Sequence, residues 1–328
     1  MRRGLLAAAF GGAALIALIG WFGIRSIGTD VVRAAWSIPA ITALHLAQLF
    51  LSACAWSLAV GAPSVSLLTY FRLRTIREGV NSLLPVAQIG GQVVCVRLMA
   101  QLGIGIAQAG AGTILDLTLE AGMQLVFILL GIGMLAAAGI DPTWASWAEG
   151  GLVVGLFGIL GFVVAQRAGL LRLIEFLILR LNHFWPALSV ESVRGLHREL
   201  IRLQHRPWTL VKAALFHLSS WSLGAGEVYL VLLAIGAPVG LMQAFVIESL
   251  GMAARSAGFA VPGAFGVQEG GFILVCGLFG VSPDAAIALS MVKRLREVLI
   301  GIPGLIIWQW SEIKRRLFIW SVNPPPSV

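Results

Sequence analysis

The sequence predicts an all-α fold: a polytopic membrane helix bundle of about six to eight spans, with two broken or re-entrant helical hairpins and an inverted repeat. Three observations predict it. First, 58% of the 328 residues are hydrophobic, 12% are charged and the mean hydropathy is +0.91, more apolar surface than one water-soluble core of this length can bury. Second, apolar runs of roughly 20 residues, the length that crosses ~30 Å of hydrocarbon, recur along the chain. Third, two distant stretches break an apolar run with proline and glycine and then lead into a run that carries ionisable residues. These are N-S-L-L-P-V-A-Q-I-G-G-Q at 81–92 and G-F-A-V-P-G-A-F-G-V-Q-E at 258–269.

At the amino terminus Arg2 and Arg3 precede an apolar run from Gly4 to Ile24 that has spanning length and no A-x-A cleavage site, so a first membrane helix starting in the cytoplasm is expected. A second span runs from Ile38 to about Gly61. Arg72, Arg74 and Arg77 gather after it and place that end inside by the positive-inside rule. From Glu78 to Leu102 the chain is apolar but interrupted by Asn81, Pro85, Gln88, Gly90, Gly91, Gln92 and Arg97. Proline removes a backbone donor and obstructs the preceding turn, so a hairpin that enters from the cytoplasm and returns fits this stretch better than a straight lipid-exposed helix.

A span from about Ile106 to Ala138 follows. Asp141, Pro142 and Glu149 then form a loop without Lys or Arg, expected outside, and Gly150 to Gln166 returns. Residues 167–206 are the one sizeable polar region, rich in arginine, and belong in the cytoplasm. Within it residues 170–180 suit either a helix lying in the membrane interface or a solvated linker helix. Arg194, Arg198 and Arg202 recur every four residues, share one helical face, and are assigned to topology and headgroup contact. Trp208 opens a span to about Ile235. Arms of 17 or so residues such as Leu241 to Ala257 could span weakly, and eight crossings would satisfy the same charge rule. The last span runs from Pro283, behind a Ser282-Pro283-Asp284 helix start, to about Trp310, where Lys314, Arg315 and Arg316 mark a cytoplasmic tail. Both termini are thus expected inside. Trp21, Trp36, Trp144, Trp147, Trp208, Trp308 and Trp310 fall near span ends, as an interfacial belt requires. Cys54, Cys95 and Cys276 sit among apolar neighbours and read as small buried side chains. Residues 1–322 form a single transmembrane domain, with half-repeats at about 38–138 and 208–311 and a tail at 323–328.

Sliding the chain on itself by 177 positions superposes Pro85 on Pro262, Gln92 on Glu269, Gly103 on Gly280, Asp116 on Lys293 and Glu120 on Glu297. With both termini inside, the halves run in opposite directions, and their hairpins enter from opposite faces and meet near the middle. Asp116 and Lys293 each stand ten residues into a span, near mid-bilayer, where a lone charge costs about 2.5 to 3.5 kcal/mol and is normally relieved by a partner or a polar cavity. The Asp116/Glu120 face and the Lys293/Arg296/Glu297 face are therefore expected to meet, bridged by Gln92, Glu269 and Arg255. Two readings follow, a salt-bridge network that only holds the bundle and a cavity that takes a lipid headgroup.

The 81–92 motif, with R-S-A-G-F-A-V-P-G-A-F-G-V-Q-E-G-G-F at 255–272, resembles the lysylphosphatidylglycerol synthase transmembrane (flippase-like) family over nearly the whole chain. The second motif looks most like that family's hopanoid-biosynthesis-associated branch. The resemblance implies a multi-pass protein of the bacterial inner membrane, related to the domain that moves aminoacylated phosphatidylglycerol between leaflets, and it carries over Asn81, Pro85, Arg255, Pro262, Gln268 and Glu269 as motif positions. The soluble aminoacyl-transferase domain of bifunctional members is not found before Val328, so synthesis of the lysyl-lipid is not expected. The expected partners are membrane lipids, either a hopanoid or an anionic or aminoacylated phospholipid, together with hopanoid-biosynthesis enzymes if the protein is a scaffold.

Other classes find little support. No basic stripe lies on a soluble face, which argues against nucleic acid. His45, His183, His197, His205 and His217 lack H-E-x-x-H spacing, and neither G-x-S-x-G nor D-x-D occurs, so no catalysis, metal or cofactor is expected. His217 within a span reads as a packed residue or an interhelical bond rather than a base. No nucleotide-binding loop is present, and any coupling to an ion or proton would fall to Asp116, Glu120, Glu269 and Glu297.

Overall fold

The computed structural model describes residues 24–84, 90–138, 190–258 and 264–322. The expected first helix before Ile24, the loop and span at 139–166, the 170–180 segment and the 323–328 tail lie outside the described residues, as do Pro85, Gln88 and Pro262. Every regular element among the described residues is a helix: α1 (Ile24–Ala34), α2 (Ile38–Val60), α3 (Leu67–Leu83), α4 (Gly90–Gln101), α5 (Ile106–Ala137), α6 (Val190–Gln204), α7 (Pro207–Ile235), α8 (Leu241–Ala257), α9 (Val267–Gly277) and α10 (Pro283–Val322).

Helix α2 with the turn and helix before it, α5 and α7 are each long and apolar enough to cross a membrane. Their outward faces carry Val32, Phe50, Ile106, Leu215 and Trp208, all exposed, which suits a hydrocarbon surrounding and would be a liability in water. Trp36, Trp208 and Trp310 are exposed near helix ends or lower on the last helix, in keeping with interfacial placement.

Two sets of helices follow the same order. A long helix (α2, α7), a 17-residue helix (α3, α8), a short one (α4, α9) and a long one (α5, α10) recur, and the break after α3 falls where the break after α8 falls. Gly103 and Gly280, superposed by the 177-residue shift, both take positive φ in the turn that opens the following long helix. Two hydrophobic cores follow the two sets, the second reaching Ile41 of α2 and Leu135 of α5 and the first touched by Leu305 and Trp308 of α10. One gathers Trp56, Tyr70, Leu73, Ile76, Cys95 and Met99 from α2, α3 and α4, and the other gathers Val228, Leu232, Ile247, Phe272, Cys276 and Leu289 from α7 to α10. All three cysteines are free, Cys95 and Cys276 buried and Cys54 half-buried.

The halves are bound together by α2 against α7 and by α3 against α10, the two most extensive helix pairings. The second seam is made of backbone. A Cβ added to Gly79 would stand 2.4 Å from the Gly301 carbonyl oxygen, and one on Gly304 would stand 2.3 Å from that of Thr75. Small residues at such crossings replace the hydrophobic drive that lipid cannot supply.

Two expectations need correction. The segment holding Arg72, Arg74 and Arg77 is the interior of α3, which starts at Leu67 behind a Ser66 cap whose Oγ accepts from the Thr69 backbone N–H at 3.3 Å. Arg74 and Arg77 are buried there and only Arg72 is exposed. The final helix, which holds Pro303 in its interior, runs beyond the expected end of the span near Trp310 to Val322, since no proline or glycine follows Trp310 before Asn323-Pro324. Its start is as expected, with Ser282 Oγ accepting from the Ala285 backbone N–H at 3.3 Å.

Candidate functional site

The two broken segments are tied shut by the polar residues of their motifs. Asn81, near the end of α3, accepts from the Gly91 backbone N–H at 2.9 Å and donates to Gln92 Oε1 at 3.2 Å, joining the arms of the first hairpin. In the second, Glu269 accepts from the Gly266 backbone N–H at 2.7 Å, and Gly266 has φ 79°, a conformation suited to glycine. Gln268 donates to Ser290 Oγ at 3.1 Å and accepts from Arg255 Nη1 at 3.1 Å, which fastens the turn to α8 and α10.

Between the halves lies a cavity of about 480 Å³. It receives side chains from both sets of helices: His45, Gln48 and Ser52 of α2, Arg74, Arg77, Glu78 and Asn81 of α3, Gln92 of α4, Glu120 of α5, Ser220 of α7, Glu248 and Arg255 of α8, and Lys293, Arg294, Arg296 and Glu297 of α10. Its volume is that of a polar headgroup or small ligand.

The charges form two networks, one in each half. Arg74 forks onto Glu120 through both terminal nitrogens, and Arg77 bridges Asp116 Oδ2 at 2.9 Å and Glu120 Oε2 at 2.6 Å. His217 Nε2 lies 3.0 Å from the other oxygen of Asp116, an interhelical bond and one of the two roles expected of it. In the second half Arg296 pairs with Glu227, Lys293 with Glu248 at 2.5 Å, Arg255 with Glu297 at 2.5 Å and Arg294 with Glu269 at 2.8 Å. Six cations thus each have a different carboxylate, which offsets the cost of burying either. Arg77 also lies 5.6 Å above the Trp56 ring and Arg294 4.0 Å above that of Phe265.

This arrangement corrects the expected pairing. Among the described residues the Asp116/Glu120 face does not bond the Lys293/Arg296/Glu297 face. Each is neutralised within its own half, and the two meet only across the cavity. Gln92 and Arg255 line that cavity and Glu269 supports it from behind, through Arg294. Arg74, Arg77, Glu227 and Glu248 were not reached by spacing. Arg74 and Arg77 read as a topology signal, and Glu227 and Glu248 have phenylalanines, Phe50 and Phe71, at the matching places of the first half. The available signal was simpler, an ionisable residue inside an apolar helix, which Glu227 and Glu248 satisfy as well as Asp116 does.

Buried helices, two interrupted segments and a charge-lined cavity between matching halves define a polytopic membrane protein with an internal polar site. More particularly, the chain matches the family described as "Lysylphosphatidylglycerol synthase TM region" over residues 5–304 and belongs to it. No curated protein and no solved structure matches the chain.

Proposed function

We propose that this protein is a lipid translocator of the bacterial inner membrane, with both termini cytoplasmic, that passes a polar headgroup through the cavity while the apolar part of the lipid stays in the bilayer. Membership of the family supports a lipid-related role. The observation that carries the reading is the cavity itself: a polar chamber within a lipid-facing bundle, lined by both halves and adjoining both broken segments. Matching helix lengths and the paired positive-φ glycines support two inverted repeats that rock about this chamber. A headgroup entering it exchanges hydration for the arginines and carboxylates, which can open their pairs toward it. The proposed cargo is a hopanoid or an anionic or aminoacylated phospholipid, and the motif at 255–272 favours a role in hopanoid biosynthesis or transport.

A second reading, a non-transporting scaffold for hopanoid-biosynthesis enzymes, is favoured by one observation. Complete pairing of the six cations is what a static brace requires. Leaflet exchange of labelled hopanoids and phosphatidylglycerol derivatives, in vesicles holding the purified protein, separates the two. Exchange above empty vesicles that is lost in Glu297→Gln and Glu269→Gln supports translocation. Absence of exchange with every lipid, from folded protein under an imposed gradient, supports the scaffold.

A further inference from the structure

The carboxylates of the two networks outnumber their lysine and arginine partners by one once Glu78 is included. Glu78 of α3 has His45 as its ion-pair neighbour among the described residues, with Nε2 3.9 Å from its Oε1. On the other side His45 Nδ1 lies 3.3 Å from Glu227 Oε1. Neither ring nitrogen is aligned as a hydrogen bond, although both are buried within the protein, and the side chain is only 12% exposed. The ring thus stands within ion-pair range of two carboxylates on different helices, at the wall of the cavity, and can engage either.

We propose that His45 is where a proton enters and leaves as the cavity changes sides, so that lipid movement is coupled to proton movement. The inference rests on the translocator reading. Charge balance favours it: seven carboxylates, Asp116, Glu78, Glu120, Glu227, Glu248, Glu269 and Glu297, face six cations, with Arg74 and Arg255 also acting on Glu78, and one imidazolium at His45 evens the count. Hydrogen bonding favours it too. A neutral imidazole donates from one nitrogen, whereas the protonated ring donates from both and can bond Glu78 and Glu227 together after a small adjustment. The placement supplies the mechanical consequence. His45 and Glu78 belong to the first half and Glu227 to the second, so protonation adds a bond across the α2–α7 seam and deprotonation removes it.

The surrounding charges leave His45 this role. Glu227 is shared with Arg296 and Lys293 of α10 and accepts from Gln48 Nε2 at 2.6 Å. From α5 the carboxylates turn to Arg74 and Arg77 of α3 and to His217 of α7, and the short turn before α2 carries no ionisable side chain. The carboxylates singled out from sequence as carriers, Asp116, Glu120, Glu269 and Glu297, would each forfeit an arginine bond on protonation. A proton on His45 breaks none.

The test uses the full chain in vesicles of phosphatidylethanolamine and phosphatidylglycerol, with a labelled phosphatidylglycerol probe whose outer-leaflet fraction is read by quenching, with and without a one-unit pH gradient. One proton per lipid permits up to about a tenfold leaflet imbalance at steady state. Wild type is expected to build an imbalance, and His45→Gln to exchange the probe to an even distribution whether or not the gradient is present. An imbalance that survives in His45→Gln, or wild-type exchange that ignores the gradient, overturns the proposal. No wild-type exchange at all overturns the translocator reading beneath it. If His45→Gln does not fold, Glu78→Gln serves instead, with a reduced imbalance expected and an undiminished one overturning the assignment.

Discussion

Neutralising Glu120 probes the first-half charge cluster directly. Its carboxylate accepts three arginine N–H bonds, two from Arg74 and one from Arg77, in a site where these side chains are between 6 and 14% exposed. Hydrogen bonds to charged groups contribute about 1.5 to 3 kcal/mol each and neutral ones about half that. Glu120→Gln keeps the shape, retains at most weaker versions of these bonds, and leaves Arg74 without its carboxylate. About 1 kcal/mol lost at each of the three contacts predicts destabilisation of about 3 kcal/mol, at the lower end of the 3 to 5 kcal/mol typical of breaking a buried pair because the cavity is polar. Removing both partners should cost less than the sum of the two single changes. The assay is denaturant unfolding in detergent of wild type, Glu120→Gln, Arg74→Gln and the double variant, with an expected coupling of about 2 kcal/mol. A Glu120→Gln loss below about 1 kcal/mol with additive double-variant behaviour would show that the fork is solvated and refute the reasoning.

The helix seams and hairpin ties give further expectations. Gly304→Val drives a side chain into the Thr75 carbonyl and should destabilise by at least ~1 to 3 kcal/mol, whereas the same change at Gly133, whose Cβ would meet nothing within 4 Å, should be nearly silent; thermal unfolding compares the two. Asn81→Ala leaves the Gly91 N–H without its side-chain acceptor, so a loss of about 1 to 3 kcal/mol and faster amide exchange at the start of α4 are expected, read by hydrogen-exchange mass spectrometry. Leu203→Ala removes a buried side chain that α6 packs with Ala59, Ala111 and Leu115, and should cost about 2 to 5 kcal/mol if α6 docks on the bundle rather than floating beside it. A maleimide added to folded protein should label Cys54 before Cys95 or Cys276, which mass spectrometry resolves; rapid labelling of Cys95 would contradict its burial between α3 and α4.

Solvent, helix content and most boundaries are legible in the chain, because they depend on local properties. Composition requires lipid, apolar run lengths set α2, α5 and α7, and the Ser-Pro-Asp start sets α10. The ends of α3 and α8 fall where the two motifs begin to interrupt their apolar runs, and the chain marks Asp116, Lys293, Arg296 and Glu297, all buried, as charges in need of relief. What relieves them is set by how the helices pack. Partner choice depends on which helices abut, and a shift of one helical turn exchanges one acceptor for another without leaving a mark on the chain. Thus α3, whose arginines read locally as a topology signal, is the helix whose Arg74 and Arg77 neutralise α5, and the α2–α7 seam sets His45 between two carboxylates that stand 33 and 182 residues away.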